Sequence, residues 1–397
     1  MKYSYDRSEI KKISLSGFLS MVSVRNKRIA AAPDDLPVSE FNANRLAKSL
    51  HPAVQHVKIA KVEEHTEAKS FTLVPDKERG TESLAYFRAS QYVSVNLNIN
   101  GTALSKPYTI RSGPGSALGE DGTSYVLTIK LTRPGFASQW ILENWKEGDR
   151  VDISGPLGDF YYDRIRDAGT VVALAGGSGI TPFYSMAEAI ADGIEDFRLT
   201  ILYGSRTAEG ILLKDELDEV IARAGGKVKV VHVLSDEARE GYEHGFLTAE
   251  LVKKYAPEGD YSVFMCGPQA MYDYEEHELK KLGLPRRRIR RELSGDWLMS
   301  EPSARSYKLT LDVQGYRRPV DCLENESLEW AIERAGIKAP THCRSGECGW
   351  CHARLVSGEV FVPEQADGRR AADLKFGWVH PCASFPRSDV ELEIFPG

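Results

Sequence analysis

The chain has 397 residues, 42% of them hydrophobic, a formal net charge of -6 and six cysteines. Its length suits two or three domains of ordinary size, each with its own core, and its acidic balance removes any global electrostatic reason to bind nucleic acid. Six cysteines are too few for a disulfide-dense secreted scaffold, and four crowd between positions 343 and 382, which points to metal.

Residues 1–50 carry nine Lys/Arg against five Asp/Glu with no sustained period, so 1–52 is an unassigned N-terminal extension: packed on the next domain, partly disordered, or a dock for an electron acceptor. The apolar-leaning stretch 13–24 is too short to span a bilayer, and Arg25, Lys27 and Arg28 stand where a signal-cleavage region is uncharged. These features predict a cytoplasmic protein without a membrane span.

Short β-rich runs at 57–62, 70–74, 92–97 and 125–131, separated by turn residues, predict an antiparallel β-barrel over 53–164. After Gly169, strands at 170–174, 199–203, 227–233 and 261–266 alternate with helices at 182–191, 212–224, 248–255 and 269–282. This rhythm predicts an α/β domain with a parallel sheet over 165–293. A polar link at 294–305 leads to a third module, 306–397, with two strand-like runs, a helix at 327–335 and a cysteine-bearing loop.

In that loop Cys343, Cys348 and Cys351 have the four-residue and two-residue gaps of a plant-type [2Fe-2S] site, and Cys382 supplies the distant fourth thiolate. Gly346 and Gly349 permit the tight path that brings three thiolates to one side, leaving backbone N-H groups free to donate to sulfur. A structural zinc site favours two pairs of closely spaced ligands and would not explain this glycine-bearing loop. Cys322 lies outside the pattern and reads as a buried apolar filler. The segment Thr341 to Cys351, with His380-Pro381-Cys382, resembles the ferredoxin module. That resemblance implies a β-grasp (α+β) fold and low-potential single-electron transfer.

A cluster must be loaded from a two-electron donor, and two upstream blocks qualify. In the first, Tyr108 can stack on an isoalloxazine, Thr109 can sit near its reactive nitrogen, and Lys106, Arg111 and Ser112 can serve its polar groups. Gly135 to Ser138 opens a helix whose N-H groups, with the Ser138 hydroxyl, can hold a pyrophosphate. Against this stand a packed barrel aromatic for Tyr108 and a simple turn for Gly135. The second block, Gly176-Gly177-Ser178-Gly179-Ile180-Thr181-Pro182, sits where a strand meets a helix. Its glycines allow close approach to a phosphate, Thr181 suits the N-cap and Pro182 the first turn. A tight turn without ligand is the alternative. Ser205-Arg206 and Cys266-Gly267-Pro268 also follow strands, at the ends where open α/β sheets bind ligands.

In this order the blocks resemble the ferredoxin-NADP reductase superfamily over roughly 53–293. The resemblance implies a flavin barrel followed by a nicotinamide domain, with Tyr108 and Thr109 at the flavin and Cys266 near the nicotinamide. Lys106 stands where the superfamily usually has arginine, keeping charge but losing bidentate geometry. Flavin, nucleotide, then ferredoxin is the order of phthalate dioxygenase reductase and the phenylacetyl-CoA epoxidase reductase component. The former uses FMN; the pyrophosphate-competent turn at 135–138 favours FAD here.

The expected activity is an NAD(P)H-dependent flavoprotein oxidoreductase. Hydride from NADH or NADPH reaches the flavin, and single electrons leave through the [2Fe-2S] cluster to a partner protein, by family analogy an oxygenase or demethylase component. Reverse reduction of NAD(P) and an electron-carrier subunit with an inert nucleotide crevice remain as alternatives. The arginines at 286–291 read first as a solvated face, then as a dock for an acidic module; without interleaved aromatics they do not read as a nucleic-acid patch.

Overall fold

The computed structural model describes residues 15–31, 41–119, 123–132, 136–293 and 305–394. The chain divides into two compact units, Met1–Leu46 and Ala47–Gly397. Helices α1 (Leu15–Ala30) and α2 (Asn42–Leu50) occupy part of the unassigned N-terminal stretch. No described helix is long and apolar enough to cross a membrane.

The larger unit opens with strands β1 (Gln55–His65), β2 (Ala68–Pro75), β3 (Tyr92–Ile99), β4 (Thr102–Thr109), β5 (Tyr125–Lys130) and β6 (Arg150–Leu157), arranged β4-β3-β6-β1-β2-β5 with antiparallel neighbours. A bridge between Ile110 and Leu127 draws the two outer strands together. Inward residues such as Val57, Phe71, Val93, Leu127 and Ile153 are fully buried, and helix α3 (Ala137–Asn144) adds Ala137 and Ile141 to their core. Period-two burial drives this half: every second side chain leaves water for a shared interior. Strand β4 was legible only as a motif, since Pro107 lowers its strand score. It is tolerated because β4 lies at the end of the strand order.

The second half of the body is a parallel sheet of β7 (Thr170–Gly176), β8 (Arg198–Ser205), β9 (Val228–Leu234), β10 (Glu243–His244), β11 (Ser262–Cys266) and β12 (Ile289–Arg291), ordered β10-β9-β8-β7-β11-β12. Helices α4 (Thr181–Ala191), α5 (Lys214–Arg223), α6 (Ala249–Tyr255) and α7 (Gln269–Lys280) connect its strands. Strand β7 is buried from Val171 to Gly176, as a central strand covered on both faces must be. The arginine run is not all solvated face. Arg290 is buried, donating to the carbonyls of Tyr161 (2.5 Å) and Asp159 and to the Asp167 carboxylate at 3.2 Å, while Arg288 pairs with Asp260. These bonds fasten β12 to the segment that joins barrel and sheet.

The last module contains β13 (Ser306–Val313), β14 (Tyr316–Leu323), α8 (Leu328–Arg334), β15 (Ala353–Ser357), β16 (Val360–Phe361), α9 (Ala371–Phe376), β17 (Trp378–Val379), β18 (Phe385–Pro386) and β19 (Val390–Ile394). Its main sheet runs β14-β13-β19-β15-β17, with β13 and β19 parallel. Helix α8 is capped by Ser327, whose hydroxyl accepts from the Trp330 N-H at 3.3 Å, and it buries Leu328, Ala331 and Ile332 with Leu309 and Leu392 of the sheet. Cys322 belongs to this core, where burial pushes its thiol up to about 12. The polar link at 294–304 lies outside the described residues.

Candidate functional site

The cysteine loop spans the gap between α8 and β15. The Cys351 and Cys382 sulfurs are 3.4 Å apart, and the Cys343 thiol is in hydrogen-bond reach of both Cys348 and Cys382, so all four sequence-predicted ligands converge. Three are buried and Cys348 is exposed. Backbone N-H groups of Ser345 (3.5 Å) and Cys348 (3.4 Å) donate to Cys343 Sγ, and that of Trp350 to Cys348 Sγ (3.5 Å). Such donors stabilise thiolate over thiol. Gly346 has φ +85°, and a Cβ there would stand 2.0 Å from the Ala366 carbonyl oxygen, so only glycine fits. Four converging sulfurs with N-H donors aimed at them suit a [2Fe-2S] cluster.

Facing this loop is a cavity of about 840 Å³, within the range of small-molecule sites. Strand β4 contributes Lys106, Tyr108 and Thr109; the start of α3 contributes Ala137 and Ser138; the nucleotide sheet contributes Gly176, Gly177, Gly179, Thr181, Cys266, Gly267 and Pro268. Gly135 lies outside the described residues. A largely apolar hollow with Lys106, Lys130 and Arg334 on its lining, several hydroxyls and a glycine turn fits a flavin beside a nicotinamide.

Four sequence-predicted contacts lie elsewhere. Arg111 and Ser112 are buried where the barrel meets α4: the Arg111 guanidinium lies 4.7 Å from the Tyr184 ring centre, and the Ser112 carbonyl accepts from Ser185 at 2.8 Å. Neither lines the cavity. Ser205 and Arg206 end β8 and also lie outside its lining, with Arg206 Nε donating to Asp236 at 2.7 Å.

The glycine turn behaves differently from expectation in one respect. Ile180, not Thr181, precedes α4 as its cap, and the Thr181 hydroxyl donates to the Ser178 carbonyl at 3.1 Å. The turn is short and helical itself, a 3-10 run over Gly177–Ile180, so the capping position shifts by one. A Cβ on Gly179 would stand 2.1 Å from the Cys266 carbonyl oxygen; this glycine therefore admits the neighbouring strand-end turn. Gly177, with φ +53°, has nothing near its missing Cβ and is the position where the backbone is open to a ligand. Ser138 Oγ accepts from the Thr132 N-H at 3.1 Å.

Several cavity residues had no signal in the sequence. Tyr92 pairs with Thr109 across β3 and β4; burial, then the nearby Cys343 and Cys348, holds its phenol well above the usual range. Glu292, just after β12, is buried beside Cys266, and burial first, then the Glu347 and Asp159 carboxylates, raises it to about 8 against the opposing Arg290. The Cys266 thiol is itself pushed up by burial. From the ferredoxin module come Trp330, whose ring centre lies 5.7 Å from Lys106 Nζ, and Ser345. Arg344, with φ +60° and a buried side chain, pairs bidentately with Glu333 (2.6 and 2.9 Å) and donates to the Ser105 carbonyl at 3.2 Å. Ser105 Oγ and Thr341 Oγ1 are 2.7 Å apart. The cysteine loop is thus fastened to the edge of β4, two residues or fewer from Lys106 and Pro107.

Three family models match the chain in the same order as these domains: an oxidoreductase FAD-binding domain at 57–162, an oxidoreductase NAD-binding domain at 173–277 and a 2Fe-2S iron-sulfur cluster binding domain at 311–387. The chain is 26% identical to the glycine betaine monooxygenase reductase subunit of Chromohalobacter salexigens, an alignment covering 84% of this chain and 93% of the relative. It is 31% identical to NADH-cytochrome b5 reductase 1 of Candida glabrata over 56% of this chain and 81% of that protein. Among solved structures, phthalate dioxygenase reductase, described as a modular structure for electron transfer from pyridine nucleotides to [2Fe-2S], superposes with a TM-score of 0.62 at 25% identity, covering 86% of this chain and 98% of that one. With FAD, a [2Fe-2S] cluster and NADH or NADPH as its cofactors, the chain belongs to the ferredoxin-NADP reductase superfamily, as a flavin and iron-sulfur reductase with a C-terminal plant-type ferredoxin domain that passes electrons from NAD(P)H to an acceptor protein.

Proposed function

We propose that this chain is the reductase component of an oxygenase system, with domains at 53–164, 165–293 and 306–397. The observation that carries this reading is the single cavity lined by the barrel, the nucleotide sheet and the ferredoxin module together; two of the similar proteins are named for oxygenases. When bound, the flavin accepts two electrons and returns them singly, and the cluster relays them.

The residues of the chain position and insulate. Tyr108 offers a ring for stacking and Thr109 a hydroxyl beside it. Lys106 supplies a positive charge and the start of α3, with Ser138, supplies N-H groups for the flavin phosphates. Gly176, Gly177, Gly179 and Thr181 form the turn for the dinucleotide phosphates, and Cys266, Gly267 and Pro268 seat the nicotinamide. Glu292, holding a proton at neutral pH, keeps this low-dielectric wall free of a buried negative charge that would oppose an arriving hydride. Ser205 and Arg206 suit the adenine ribose; with Arg206 already engaged by Asp236, a 2'-hydroxyl is better matched than a 2'-phosphate. Arg111 and Ser112 fit barrel packing better than cofactor contact.

The test is anaerobic titration with NADH and NADPH separately, followed by candidate oxygenase components. The expected result is bleaching of the flavin and cluster bands, and cluster re-oxidation by one oxygenase component. Absence of bleaching would support an inert carrier subunit instead, and re-oxidation only by NAD(P)+ would support the reverse direction.

A further inference from the structure

The cluster loop has two faces with opposite properties. Its inner side is closed: Thr341 and Arg344 bond to β4, Ser345 lines the shared cavity, and Cys351, Cys382 and Phe385 join an apolar core with Met265, Tyr272 and Leu293 of the nucleotide domain. Its outer side carries the one exposed ligand, Cys348, and Trp350, which is 54% exposed. A singly exposed apolar side chain is ordinary; this one is set apart by its place two residues from the exposed cluster ligand.

That tryptophan is held, not loose. Its ring stacks on His342 at 4.3 Å and 11°, and its backbone N-H donates to Cys348 Sγ. A second ring pair, His352 with Trp378 at 4.8 Å, flanks the same tripeptide, since His352 Nδ1 lies 3.0 Å from the Gly349 carbonyl oxygen. Leu374 and Phe376, four and two residues before Trp378, are 58% and 61% exposed. The outer side of the loop therefore carries held aromatic rings, Trp350 on His342 and His352 beside Trp378, next to the exposed Glu347 and Cys348.

We propose that Trp350, stacked on His342, is the central contact through which the electron-acceptor protein docks and takes electrons from the cluster. This rests on the electron-transfer function proposed above. Redox encounters bury little area and are transient, so a single rigid aromatic at the centre has a large share of the binding, as tryptophans do at interface hot spots. The acceptor this surface fits presents an apolar face over its own one-electron centre, not a strongly charged patch. In the balanced step, NAD(P)H gives two electrons and leaves as NAD(P)+ with release of one H+. Two acceptor molecules each take one electron.

The probe is oxidised azurin, a one-electron copper protein whose metal lies beneath an apolar surface patch. Binding is read by calorimetry on the cluster-loaded reductase without nucleotide, and turnover as azurin reduction divided by the rate of cluster reduction by NAD(P)H in the same preparation. Trp350→Ala is expected to weaken binding and to lower that ratio by about ten-fold each, with Trp350→Phe restoring most of both. Iron and sulfide content are measured alongside; if alanine costs the cluster, the same readings on Trp350→Gln decide. Unchanged binding and an unchanged ratio in a cluster-loaded variant would overturn the proposal. Failure of NAD(P)H to reduce the cluster in the wild type would overturn the underlying function instead.

Discussion

Glu292 illustrates what one buried carboxyl does at the scale of a residue. Its ordinary value of 4.5 is raised to about 8 in the fold, so between those values the folded chain holds a proton that the unfolded chain gives up. The stabilisation is therefore present at low pH and is lost as pH rises through about 8. Chemical denaturation should show this group's contribution falling by on the order of 3 kcal/mol between about pH 5 and pH 8. Glu292→Gln should lessen the overall slope, leaving the share of Glu275 and Glu347, which burial also raises to about 8; an unchanged slope would show that Glu292 does not contribute. Nothing in the sequence marked this residue, because its environment comes from Cys266, Asp159 and Glu347 of the cysteine loop, which are distant along the chain. The convergence of the four cysteines was legible for the opposite reason: three lie within one loop, and their spacing is itself the geometry. The place of Tyr108 and Thr109 on the cavity was legible from a short motif, whereas Tyr92, across the ladder from Thr109, needed the register of two strands.

At the scale of the element, the cysteine loop depends on two supports. The first is Gly346, whose missing side chain admits the Ala366 carbonyl. Gly346→Ala is expected to reduce iron content of the purified protein severalfold while the barrel and sheet retain their far-ultraviolet dichroism; full iron occupancy would contradict the steric reading. The second is the buried pair between Arg344 and Glu333. Glu333→Ala strands a buried guanidinium and should cost about 3–5 kcal/mol in urea melts followed at the cluster bands. Replacing both partners, with Glu333→Leu and Arg344→Met, should recover most of that loss. Element boundaries were largely readable from the alternation of strands and helices, which follows burial on one or both faces. Strand β4 was the exception, since its proline obscured it, and α8 gave no hint that Trp330 would line a cavity shared with residues as far back in the chain as Tyr92.

For the whole molecule, the sequence left two ways to load the cluster: a module that swings on the 294–305 link, or one that stays between donor and acceptor. The bonds from Thr341 and Arg344 to Ser105, and the core shared with Leu293, favour the second. Doubling the link with a Gly-Ser insertion should leave the rate of cluster reduction by NAD(P)H unchanged in stopped-flow measurements. A tethered, swinging module would instead slow by about three-fold, following the loss of effective concentration. The same contacts have a consequence for biosynthesis. Ser105 and Thr341 are 236 positions apart, so at ordinary translation speeds the barrel waits roughly 10–50 s for the loop that covers its β4 edge. During that interval the nascent chain presents a bare strand edge, which makes the order of domains a demand on the cell's chaperones as well as a route for electrons.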